Sequence, residues 1–92
     1  MTGWLVGVLI SIDQAEPVRH YYAVAQDDRA RAEWAAADLA LTEGAVAASP
    51  HGGVEPVEAM CELSAAALRS LVLRPGQIKA LGWKWPRRWV SH

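Results

Sequence analysis

The sequence predicts a small two-layer α+β domain, an antiparallel sheet with two helices packed on one face, in the element order ββαββαβ. Three observations carry that prediction. Segments with a period of two, at residues 4–12, 18–25 and 57–63, alternate with segments that open on helix-capping residues, Asp27-Asp28 and Ser64. Clusters of turn-forming residues separate them at 13–17, 49–53 and 74–77. Finally, 92 residues with 52% apolar side chains suffice for one core and are too few for a second domain.

Residues 4–12 put Trp4, Val6, Val8, Ile10 and Ile12 on one face and Leu5, Gly7, Leu9 and Ser11 on the other. Both faces are largely apolar, which predicts a central strand. The polar stretch 13–17 has the length of a hairpin loop, and 18–25 returns as a second strand. There His20, Tyr22 and Val24 alternate with Arg19, Tyr21, Ala23 and Ala25, so the two tyrosines point to opposite faces. Asp27-Asp28 offers a carboxylate to the free amides of a first helical turn, and a helix over about 28–42 follows. Its stripe of Ala30, Trp34, Ala37, Ala40 and Leu41 is expected to face the sheet, with Trp34 as the one bulky contact.

Residues 45–48 make a short strand candidate before the turn Ser49-Pro50-His51-Gly52-Gly53. The next segment reads two ways. A helix would place Pro56 at its first position and line up Val57, Met60, Ser64, Leu68 and Leu71. A strand would turn Val57, Ala59, Cys61 and Leu63 inward and leave Ser64 to cap a helix over 65–72. The alternation and the cap favour the strand. Arg74-Pro75-Gly76-Gln77 is a turn with glycine where positive φ is needed. A last strand over 78–85 is expected to carry Leu81, Trp83 and Trp85 on one face until Pro86 stops it. The domain thus spans 1–86, and 87–92 form a short basic tail.

Charge divides along the chain. Residues 1–68 hold three Arg against ten Asp and Glu, giving −7, whereas 69–92 hold six cations and no acid. The formal total of −1 conceals this. The basic end also gathers aromatics in Trp83-Lys84-Trp85-Pro86-Arg87-Arg88-Trp89. Indoles beside cations form contacts with proteins, nucleic acids or headgroups, so Trp83, Lys84, Trp85, Arg87, Arg88 and Trp89 are the candidate binding residues. Three cations within the run are a weak footprint for a nucleic-acid binder, which places a protein partner ahead of nucleic acid.

Other chemistries have less support. Cys61, Ser49, Ser64, His20 and His51 show no spacing that joins a nucleophile to a base, and no catalytic residue is assigned. No His, Cys or Asp pattern has metal-ligand spacing, and no cofactor motif is present. A lone cysteine forms no internal disulfide, and the apolar run Trp4–Ile12 resembles neither a signal peptide nor a membrane span. The expected location is therefore cytoplasmic. Seven Arg against two Lys, with 17 Ala, suggests a GC-rich bacterial genome. A core this rich in alanine and devoid of Phe is thin, and pairing with a second copy would strengthen it. The sequence thus points to a non-enzymatic, homodimeric protein-interaction module. The alternatives are a nucleic-acid-binding protein using the basic aromatic end and a structural subunit of a larger complex. No small-molecule substrate is indicated.

Overall fold

A computed structural model describes residues 2–13 and 15–87. The elements are β1 (Gly3–Ser11), β2 (Val18–Val24), α1 (Arg29–Ala40), β3 (Ala45–Val46), β4 (Val57–Leu63), α2 (Ala65–Ser70) and β5 (Ile78–Gly82). The α+β class, the antiparallel sheet and the order ββαββαβ are those the sequence predicts. β1 is central, as its two apolar faces require. One edge pairs with β2, which in turn pairs with β5; the other edge is shared by β3 and β4. No helix among the described residues is long and apolar enough to cross a membrane.

The placement of the helices is a correction. Val6, Val8 and Ile10 of β1 join Tyr22 and Val24 against Ala32, Ala36 and Ala40 of α1. Leu5 and Ala23, whose side chains project the opposite way, pack with Leu63, Leu68 and Leu71 at α2. The two helices therefore cover opposite faces of the sheet instead of sharing one. A strand that is apolar on both sides needs cover on both, and each helix supplies one.

α1 starts where expected, with the Asp28 side chain accepting from the Arg31 amide at 2.9 Å. Of the expected stripe, however, only Ala40 is buried. Ala32, Ala36 and Ala40 meet the sheet, and Trp34 points outward, 72% exposed. Alanines spaced by four residues let the helix axis approach the strands closely, whereas an indole on that side would hold it away. The strand reading of 57–63 is correct, and Ser64 Oγ accepts from the Ala67 amide at 3.1 Å to open α2. β4 carries a bulge, because Ala59 pairs with Val6 and Cys61 with Leu5. The extra residue, Met60, inverts the side-chain alternation, so Val57 and Ala59 face α1 while Cys61 and Leu63 face α2.

Candidate interaction surfaces

The basic aromatic end is divided by a backbone turn. β5 stops at Gly82, which has φ +83°, a conformation open to glycine and strained for other residues. The expected strand through Trp85 is thus shorter, and Trp83 and Trp85 do not share a face. Beyond the turn Trp85 folds onto the α2 side of the sheet. Its ring meets Tyr21 edge-on, with centroids 5.3 Å apart, within the cluster of Leu5, Leu63 and Leu68. Pro86, the next residue, is buried. Trp85 is a packing residue that anchors the end of the chain.

Trp83 goes the other way and is 61% exposed. Lys84 Nζ lies 5.3 Å from its ring centroid, a cation–π arrangement that holds the indole and ammonium as one unit. Arg87 and Lys79 are exposed as well. The ion pair among the described residues is Arg19–Glu58, so Lys79, Lys84 and Arg87 have no carboxylate partner there. Of the six predicted contact residues, Trp83, Lys84 and Arg87 are presented to solvent and Trp85 is withdrawn. Arg88 and Trp89 lie outside the described residues.

The outward turn of Trp34 creates a second surface. Ala30, Trp34, Ala37 and Leu41 form a stripe at spacings of four, three and four along the outer side of α1. Leu41 is 63% exposed, and Trp34 forms the wall of an open groove of about 290 Å³. Ala30, Glu33, Ala37 and Val57 complete its lining. Glu33 also turns toward β4, where its Oε2 accepts from the Ala59 amide at 2.9 Å. The sequence does contain the signal, because 32-36-40 and 30-34-37-41 are two separate apolar stripes on one short helix. A helix apolar on two sides has one side left to cover.

The groups considered for catalysis are dispersed. His20 pairs across from Val8 on the α1 side, whereas Cys61 pairs across from Leu5 on the α2 side. Burial raises the Cys61 thiol above its ordinary pKa, which keeps it protonated and a poor nucleophile. Ser64 spends its oxygen on the helix cap, and His51 occupies an exposed turn closed by its amide on the Val54 carbonyl at 3.0 Å. Ser49 is exposed in the preceding loop. Among the described residues no group of three or more His, Cys, Asp or Glu could hold a metal ion. Comparison with protein-family models, with curated proteins and with solved structures finds no match to this chain.

Proposed function

We propose that this protein is a non-enzymatic interaction module that binds an acidic surface of another protein through its C-terminal basic end, and that it acts as a homodimer. The observation that carries the reading is the Trp83–Lys84 unit, an exposed indole with an ammonium over its face, with the exposed cations Lys79 and Arg87, which have no carboxylate partner among the described residues, beside it in sequence. An indole contributes contact area at little entropic cost, and the surrounding cations steer an acidic partner into place. Anchoring of Trp85 beneath Tyr21 supports the same reading, since it fixes the segment that presents Trp83. The proposal includes a bacterial, cytoplasmic setting, as the composition and the single cysteine suggest.

The test is a photo-crosslinking residue placed at position 83 and activated in the living cell. The expected result is a discrete protein adduct, lost when Lys84 and Arg87 are changed to Glu. Adducts that disappear on nuclease treatment would replace this reading with nucleic-acid binding. That alternative needs stacked indoles, and the inward turn of Trp85 leaves Trp83 as the exposed one among the described residues of this segment.

A further inference from the structure

We infer that the outer stripe of α1 is the dimer interface, and that it pairs antiparallel with the same stripe of a second copy. The inference rests on the dimeric part of the proposed function and names the surface that produces it.

The stripe contains both halves of a self-complementary contact. Its knob is Trp34, 72% exposed. Its hole is the groove of about 290 Å³ beside that indole, and the helical residues lining it are Ala30, Glu33, Trp34 and Ala37. Those four are i, i+3, i+4 and i+7, the set that receives a side chain in knobs-into-holes packing. Two of the four are alanines, which leaves the hole wide enough for an indole. A knob and a hole on one patch are what a two-fold axis needs, because each copy then fills the other.

Charge favours the same arrangement. When two copies of α1 cross antiparallel near Trp34, Ala37 lies over Ala30 of the other copy, and Asp38 comes beside its Arg31. Arg31 and Asp38 are both exposed, and neither has an ion-pair partner among the described residues. They lie seven residues apart on one side of the stripe, too far to pair within a single helix. The two-fold therefore produces two reciprocal Arg31–Asp38 pairs at the rim. Parallel alignment would carry this flank to opposite sides of the seam in the two copies and form neither pair.

The strand edge next to the groove argues for a helix and against an extended peptide as the occupant. The Ala59 amide of β4 is already taken by Glu33 at 2.9 Å, which blunts that edge as a template for an added strand. A carboxylate accepts several hydrogen bonds, so Glu33 can hold the Ala59 amide and still receive the indole N–H of the incoming Trp34.

Sedimentation equilibrium on the full chain tests this, with circular dichroism to verify that each variant folds. Wild type is expected at twice the monomer mass at micromolar concentration. Trp34→Ala should weaken the dimer at least about tenfold, as loss of a central aromatic anchor does. Arg31→Asp and Asp38→Arg should each weaken it, and the double exchange should restore it. A wild type that is dimeric yet indifferent to all these changes overturns this surface and leaves the dimer standing. A monomeric wild type overturns both, while the position-83 crosslink still reports on the partner.

Discussion

Arg19 on β2 reaches over β1 to Glu58 on β4, with its Nη2 3.0 Å from Oε1. Gly7 is what it passes over, since a Cβ at that position would come within 2.9 Å of Arg19 Cδ. Glycine in a central strand usually weakens the sheet. Here it opens a channel for an arginine stem, and one charged hydrogen bond ties together the two strands that flank β1.

Gly7→Ala should therefore displace the Arg19 side chain and cost about 1 kcal/mol, the scale of a partly exposed charged contact. The side chain is flexible and can move aside, which keeps the loss small. Glu58→Gln should cost a similar amount in wild type and much less in the Gly7→Ala background. Urea unfolding of the two single variants and the double variant measures this. Full additivity would show that Arg19 reaches Glu58 without needing the gap.

α2 ends in a left-handed residue that is not glycine. Val72 has φ +58°, and around it the Leu73 amide donates to the Leu68 carbonyl at 2.9 Å and the Val72 amide to that of Arg69 at 3.0 Å. These bonds form a Schellman motif with a β-branched residue where glycine is preferred. Left-handed backbone costs such a residue about 1–2 kcal/mol, whereas glycine adds roughly 0.5–1 kcal/mol of unfolded-chain entropy. Val72→Gly should be net stabilising by about 0.5–1 kcal/mol, since the side chain is 82% exposed and loses little packing. Thermal unfolding reads the gain, with Val72→Asn expected between the two. A lower melting temperature for the glycine variant would mean that the Val72 side chain stabilises the fold through contacts outweighing its backbone strain.

Tyr22 is fully buried beneath α1, and its hydroxyl donates to Glu43 Oε2 at 2.5 Å. Burial first, then the hydrogen bond and the charge of Glu43, raise the phenol well above its ordinary value of 10.0. The folded state thus holds this proton more tightly than the unfolded state. The stabilisation is complete below the unfolded value and is lost as pH rises through and beyond it. Tyr22→Phe should cost about 1–2 kcal/mol near neutrality, and the difference from wild type should shrink between about pH 8 and about pH 11. Denaturant unfolding across that range measures it; a constant difference would assign the alkaline loss to another group.

Much of the architecture was legible because it rests on local rules. Two-sided apolar alternation marked β1 as central, and Asp28 and Ser64 announced their helices through single side-chain oxygens. Gly76, with φ +83°, marks the turn before β5 where the sequence places it. What misled was information carried by the third dimension. A bulge at Met60 inverts half of β4, and no residue type demands it. Trp34 looked like core because indoles usually are, yet the closeness of helix to sheet was set by the alanines on the opposite side. Trp83 and Trp85 alternate in sequence, but the chain leaves the sheet at Gly82, so the candidate contact surface divides in two.

The central position of β1 also has a consequence in time. One of its edges closes quickly, because the β2 hairpin is its neighbour in sequence. The other waits for β4, whose Val57 pairs with Val8 and whose Leu63 pairs with Gly3. As the chain leaves the ribosome, a strand apolar on both faces stays half open until β4 has been made. Contacts this distant in sequence slow folding, and an open edge is what aggregation exploits. The early chain is therefore the vulnerable state of this molecule, and conditions that slow its elongation should lower its soluble yield.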